Sequence, residues 1–319
     1  MKVQEMEIIN ARQITPQEID KQNFDVFIFA HSGDARWSQL NQNFPVHAGR
    51  RILLLLKDFE NFFPEGKTGV IDLSRTEIYK LKSADNKGFF EFFESVLRET
   101  ESSQPKILVD ISCFPRQWIG ALLHCMFITN LDRSEAHILL SYFPSSFYMP
   151  PHIKKVRDAN LLMDFEWSRK RDLPVALLMI LGYDSHAAQN LIDRLKPDKV
   201  VALYTAPDFD KRITEEIERR HKKLIASLPP SQVITYPLQN LHKVNAVFTS
   251  EILRYRLTHK VYIAVMGPKI LTALSLVLQI RYPDVEVWDP GDIDLHSNPV
   301  PSAFPPLLYY LHFEQTEDF

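Results

Sequence analysis

Short, almost wholly apolar runs recur along the chain, each closed by polar turn residues and followed by a segment whose apolar positions fall at helical spacing. Phe24–Ala30 is one such run, ending in His31-Ser32-Gly33-Asp34; Val175–Leu181 is another, ending in Gly182-Tyr183-Asp184. Runs of this length without alternation predict strands buried on both faces, as in parallel sheets covered by helices. Further strands are predicted over Arg51–Leu56, Gly69–Leu73, Lys106–Ser112 and Ala136–Tyr142, and then over Lys199–Tyr204, Gln232–Tyr236, Lys260–Met266 and Val285–Trp288. Between them lie amphipathic helices. One carries Phe89, Phe90, Phe92 and Phe93 at core-facing spacing, and another spans Val244–Leu257.

Strand order matches in the two halves at offsets of mostly about 150 residues. The clearest pair is Lys106–Ser112, leading through Phe114-Pro115-Arg116 into a helix to Ile128, and Lys260–Met266, leading through Gly267-Pro268-Lys269 into a helix to Ile280. The fold class expected is therefore α/β, with two tandem Rossmann-like units of mainly parallel sheet and flanking helices related by internal duplication. Residues 1–150 form the first half, 151–170 a polar linker and 171–319 the second half. Thr15-Pro16-x-Glu18 is a capping pattern for a short helix ahead of the first strand. The apolar, Pro-interrupted run Phe304–Phe313 is expected to pack on the second half or on a partner.

Composition narrows the chemistry. With 45% apolar and 24% charged residues among 319, the chain can bury a sizeable core. It has 9 glycines, where average usage would give roughly 22. Glycine loops are the commonest way to bring backbone N–H groups against phosphate, and no G-x-G-x-x-G occurs. Gly66-Lys67-Thr68 lacks the glycine five positions earlier that a P-loop needs, where Asn61 stands. No G-x-S-x-G or H-E-x-x-H is found, and the 11 histidines show no metal-ligand spacing, so no metal or cofactor is expected. A net charge of −3 gives no global attraction to nucleic acid or to an anionic membrane. Cys113 and Cys125 are poorly placed for a disulfide, which with the lack of a signal-peptide core points to a reducing cytoplasm.

In open α/β sheets ligands bind beyond the carboxyl ends of the strands, where the winding direction reverses. Here that point falls between the first and fourth strands of each half. The first half places His31, Ser32, Asp34 and Arg36 after one strand, and Asp110, Ser112, Cys113 and Arg116 after the other. The second half places Tyr183, Asp184, Ser185 and His186 opposite Gly267, Pro268 and Lys269. Arginines, a lysine and a helix N-terminus can hold phosphate where glycine loops are lacking. Ser32, Asp34, Arg36, Asp110, Ser112, Arg116, Tyr183, Asp184, Gly267 and Lys269 are thus the candidate ligand-binding residues, with Asp34 and Asp110 as candidates for a general base or nucleophile. The structural alternative is that Asp34 and Asp110 cap helices while the arginines pair with them.

Other features carry less. Arg254-x-x-x-x-His259 reads as a solvated helix end, and Arg219-Arg220-His221-Lys222-Lys223 as the exposed basic face of one helix over Asp208–Leu228.

The tandem units with polar loops after strands one and four resemble the CARF and SAVED domains of bacterial antiviral systems. In that family the fourth-strand loop bears an acid, a hydroxyl residue, small residues and a terminal cation. Asp110, Ser112 and Arg116 match the acid, hydroxyl and cation, while Cys113, Phe114 and Pro115 stand where glycines are usual. The resemblance implies a sensor of cyclic oligonucleotides that acts through a partner protein or a second copy of itself. Two other functions fit the same residues: an enzyme acting on a nucleotide or phosphorylated small molecule, and a scaffold subunit of a defence complex.

Overall fold

The structure, a computed structural model, describes residues 6–58, 73–128, 134–148, 159–163, 172–206, 210–291, 302 and 304–315. It is an α/β protein with two mostly parallel sheets flanked by helices. The chain divides into two compact units, Met1–Tyr148 with Asn298–Phe319, and Met149–Ser297.

In the first unit the chain runs β1 (Met6–Ile14), α1 (Pro16–Ile19), β2 (Asn23–His31), a 3-10 turn (Ala35–Ser38), α2 (Gln39–Asn43), β3 (His47–Leu56), β4 (Glu77–Leu81), α3 (Asn86–Glu99), β5 (Lys106–Asp110), α4 (Arg116–Ile128) and β6 (Glu135–Tyr142). The second unit contributes β7 (Asn160–Leu161), β8 (Val175–Ile180), α5 (Ser185–Leu195), β9 (Lys199–Thr205), α6 (Lys211–Arg220), α7 (Lys222–Ser227), β10 (Val233–Tyr236), α8 (Leu241–Tyr255), β11 (Lys260–Val265), α9 (Lys269–Arg281) and β12 (Val285–Asp289). The chain then returns as β13 (Leu307–Gln315) to the first unit.

The sheet orders are β1-β13-β6-β5-β2-β3-β4 and β10-β9-β8-β11-β12-β7. Each contains the same five-strand parallel core, with the first strand between the second and the fourth. The reversal of winding therefore falls between β2 and β5 in one unit and between β8 and β11 in the other, as the order of apolar runs predicted. Strands β2, β5 and β8 are buried for nearly their whole length because both faces are covered. Phe89 and Phe93 are fully buried in α3, and Phe89 stacks on Trp118 of α4 with ring centroids 4.8 Å apart. The Thr15 cap also forms: the Glu18 carboxylate accepts the Thr15 N–H at 2.7 Å, which lowers the Glu18 pKa.

Four expectations change. The N-terminal segment, not read as a strand, forms β1. Of the run Phe304–Phe313, Leu307–Phe313 lies in β13, antiparallel to both β6 and β1, so it joins the first sheet and belongs to the first unit. The third strand of the first half is β4; of the predicted Gly69–Leu73, residues 69–72 lie outside the described residues, as do Gly66-Lys67-Thr68 and most of 151–170. The helix expected over Asp208–Leu228 is two helices broken at His221, which is 2% exposed. Among the described residues no helix is long and apolar enough to cross a membrane.

Candidate functional site

At the carboxyl end of β2 the chain must turn sharply, and Gly33 takes φ 74°, a conformation that costs glycine little. His31, at the end of β2, is buried edge-on against Trp37, and burial lowers its pKa against the pull of Asp34. Asp34 then caps the 3-10 turn, its Oδ1 accepting the Arg36 N–H at 2.9 Å. The same carboxylate takes the Arg36 side chain: Nε lies 3.1 and 2.9 Å from the two oxygens and a terminal nitrogen 2.6 Å from Oδ2. The other terminal nitrogen donates to the Phe143 carbonyl at 3.1 Å. Both side chains are more than nine-tenths buried. Burial works against the guanidinium charge, but Asp34 and Tyr142 outweigh it and hold the Arg36 pKa above its ordinary value.

Asp110 ends β5 and is 2% exposed. Its Oδ1 accepts the Ser112 N–H at 2.9 Å and the Ser112 hydroxyl at 2.6 Å. The Ser112 oxygen in turn accepts the Phe143 N–H at 2.8 Å. Among the described residues Asp110 Oδ2 has no partner within hydrogen-bond distance; Ser141, opposite in the β5–β6 register, acts on the carboxyl group from farther off and favours its charged form. Burial pushes the Asp110 pKa up to about 6, against the Ser112 hydrogen bonds and the Arg36 charge. Asp110 is thus a carboxyl group poised to change protonation near neutrality, with one oxygen unused.

The two loops meet. The Cys113 thiol lies 3.9 Å from the Asp34 carbonyl, and Phe143 ties Arg36 to Ser112 through its backbone. Arg116 opens α4, half-buried. Both Arg36 and Arg116 act on buried Tyr142, whose pKa is raised by burial in spite of them. Asp34, Arg36, Asp110, Ser112, Cys113 and Arg116 therefore share one neighbourhood. Ser32 is buried in the same turn. Sequence reasoning missed Ser141 and Tyr142, which end β6, and Phe143, which follows it. Their signal was available, since β6 is the next neighbour of β5 and its carboxyl end opens on the same edge.

In the second unit the corresponding edge is built differently. Asp184 caps α5, Oδ1 accepting the N–H groups of His186 and Ala187 at 3.0 and 2.9 Å. A Cβ on Gly182 would overlap the Met266 carbonyl, and one on Gly267 would meet Ile180 Cγ2 at 2.9 Å. Glycine at both places lets the β8 and β11 exits close on each other, so the space a side chain would take is filled by protein. His221 bonds the Gly182 carbonyl through Nε2 at 2.8 Å, which requires the proton on Nε2. Burial lowers its pKa, outweighing the Gly182 bond and Asp184. Arg220 donates to the Tyr183 carbonyl at 3.2 Å, lies over the Tyr183 ring and pairs with Glu216 at 2.6 Å. Arg219 holds Glu216 through two hydrogen bonds of 2.7 Å. That pairing, with Arg220 and against the cost of burial, keeps the Glu216 pKa down at about 2. Lys269 is the first residue of α9.

The supposed basic face at 219–223 is thus partly spent inside the fold: two arginines neutralise Glu216, and His221 is interior. Arg254 pairs with Glu251 at 3.5 Å, and His259 lies beyond the end of α8 against Thr258.

No protein-family model and no curated protein matches the chain.

Proposed function

We propose that this protein is a nucleotide-binding sensor or regulatory protein whose ligand sits at the carboxyl edge of the first sheet, between β2 and β5. Asp110 carries the reading: it supplies a buried carboxylate oxygen with no hydrogen-bond partner at the point where such sheets bind ligands. A buried acceptor left open costs roughly 1–3 kcal/mol, and a ligand N–H or ribose hydroxyl would recover it. Arg36 is committed to Asp34 and Phe143. We assign the phosphate contacts to the half-buried Arg116 and to the N–H groups opening α4, which is long enough to present a useful dipole.

Asp110 lies beneath the surface. A ligand reaches it by parting the 31–34 and 112–115 loops, which are bridged by the weak Cys113 contact to Asp34. The resemblance to CARF and SAVED domains makes a cyclic oligonucleotide of bacterial antiviral defence the first ligand to try, with the signal passed to a protein partner or a second copy. A panel of mono-, di- and cyclic nucleotides should contain a member that adds about 2.7 kcal/mol at a hundredfold its Kd, a rise in Tm of about 4–8 °C. Asp110→Asn and Arg116→Ala should abolish the rise. If nothing in the panel moves the Tm, the reading fails.

A second reading rests on the same carboxyl. A pKa of about 6 suits a general base working near neutrality, which would make the protein an enzyme acting on a nucleotide or phosphorylated small molecule. Product formed from the panel and lost in Asp110→Ala would favour it; product surviving both Asp110→Ala and Asp34→Ala would reject these residues as the catalytic groups.

A further inference from the structure

A second group of polar side chains lies at the other end of β6, where that strand begins and β13 ends. In the antiparallel register His137 stands opposite His312, and Glu135 opposite Glu314. Side chains two apart on a strand share a face, so the four form a square on one side of the sheet. They belong to segments far apart in sequence and are brought together only by the return of the chain to the first sheet.

Their geometry is unusual for a hydrogen-bonded cluster. Glu135 Oε2 lies 3.7 Å from His137 Nε2 and 3.5 Å from His312 Nε2, and Glu314 Oε1 lies 3.6 Å from His312 Nε2. The ligand atoms of Glu135, His137 and His312 all fall within 4.8 Å of one another. These separations are long for hydrogen bonds. They are close to the edge of a tetrahedron built on metal–ligand bonds of 2.0–2.1 Å, which is about 3.3–3.4 Å. His312 Nε2 is buried and has no hydrogen-bond partner. The other nitrogen of His137, Nδ1, is 2.8 Å from the Tyr310 hydroxyl, an arrangement that fixes the ring and leaves Nε2 to the cluster. The nearest strand neighbours are Lys106, opposite His137 on β5, and Asn10, opposite His312 on β1. Lys106 is exposed and can turn its charge to solvent, so two carboxylates and two imidazoles remain facing one another.

We propose that Glu135, His137 and His312, with Glu314 beside His312, form a binding site for a divalent zinc-class cation, which clamps the strand β13 to β6. Two imidazole nitrogens and one carboxylate oxygen within 4.8 Å of one another suit Zn²⁺, whose sites can hold three protein ligands and an open position, better than Mg²⁺ or Ca²⁺, which take oxygen ligands in larger number. Tyr310 acts as a positioning residue, orienting His137 without touching the ion. The site is distinct from the crevice at the carboxyl edge, and its test does not depend on nucleotide binding.

The experiment uses the full chain, free of any histidine tag, stripped with chelator and titrated with Zn²⁺ against a competing chromophoric chelator. One equivalent should bind and raise the Tm by about 2–4 °C. His137→Gln and His312→Gln should each weaken binding by more than about 100-fold, and Tyr310→Phe, which leaves the ligands intact, by about 10–100-fold. Circular dichroism in chelator should show all three variants folded as the parent is. The proposal is overturned if the parent chain binds no zinc, or if the His137→Gln/His312→Gln double variant binds it with unchanged stoichiometry and affinity. Should that double variant fail to fold, Glu135→Gln decides, since unchanged zinc affinity there overturns the proposal equally.

Discussion

The two units share one strand order and treat the same position in opposite ways. Between β2 and β5 the first unit buries two acids, a hydroxyl and an arginine, and leaves one carboxylate oxygen unsatisfied. Between β8 and β11 the second unit puts Gly182 and Gly267 and closes backbone on backbone, while its buried Asp184, Glu216 and His221 are each bonded within the protein, to the α5 N–H groups, to Arg219 and Arg220, and to the Gly182 carbonyl. One crevice leaves a buried acceptor open among the described residues; in the other the buried Asp184 and His221 are hydrogen-bonded. Buried polar groups are held against their desolvation cost where chemistry or recognition needs them, which is the ground on which the proposed site is placed in the first unit.

The contrast can be broken most severely at Arg36. Arg36→Ala leaves Asp34 buried without its cation and should cost about 3–5 kcal/mol, read as lost hydrogen-exchange protection in β2 and β5. Asp34→Asn with Arg36→Met removes both charges together and should recover much of that loss.

Asp110 should give the first unit a stability that depends on pH. A carboxyl group whose folded pKa is raised binds more protons folded than unfolded, so stability is greatest in acid and declines as pH rises from 3.8 towards about 6. That interval corresponds to roughly 3 kcal/mol. Asp110→Asn keeps the acceptor for Ser112 but cannot ionise, so Tm measured from pH 4 to 8 should lose this slope. An identical slope in the variant would show that Asp110 does not titrate there.

Gly182→Ala tests the closed crevice. The added methyl must push Met266 aside, at about 1–3 kcal/mol or more, seen as a lower midpoint in urea. Ala at Gly49, where a Cβ would meet the Asp25 carbonyl at 3.2 Å, should cost less.

His221 has the opposite sign to Asp110. Its folded pKa lies below 6.5, so the contribution it makes is intact above pH 6.5 and is lost as pH falls below that value. Hydrogen exchange around Gly182 should therefore quicken on acidification in the parent and lose that dependence in His221→Gln. Gln keeps an N–H donor for the Gly182 carbonyl, whereas His221→Leu leaves that carbonyl without one and should cost about 1–3 kcal/mol.

Much of the architecture was legible because it is local. Apolar runs marked β2, β3, β5, β6, β8, β9, β11 and β12 to within a few residues, and their order placed the reversal of winding between first and fourth strands. The site was legible as a neighbourhood: Asp34, Arg36, Asp110 and Ser112 do converge. Their pairing was legible only as one of two readings. The sequence allowed Arg36 either to face a ligand or to pair with a capping Asp34, and in the fold the equally buried Asp34 both caps its turn and takes the guanidinium. Gly182 and Gly267 were expected at the edge of a ligand site, and the contacts around them are with the protein itself. His221 sat in a run of cations and read as surface, because a run of charges does not disclose which member the fold draws inside.

Periodicity by itself determined which segments are strands and helices and in what order they wind, since burial on two faces or on one stripe is written in consecutive residues. It could not say that the last strand rejoins the first sheet. An apolar, alternating segment satisfies any open sheet edge equally well until the tertiary structure offers one. That single pairing, β13 on β6, brings His312 and Glu314 opposite His137 and Glu135 across a gap no spacing rule spans. Strand identity is a local property of the chain, while the company a side chain keeps depends on which distant backbone completes its hydrogen-bond ladder.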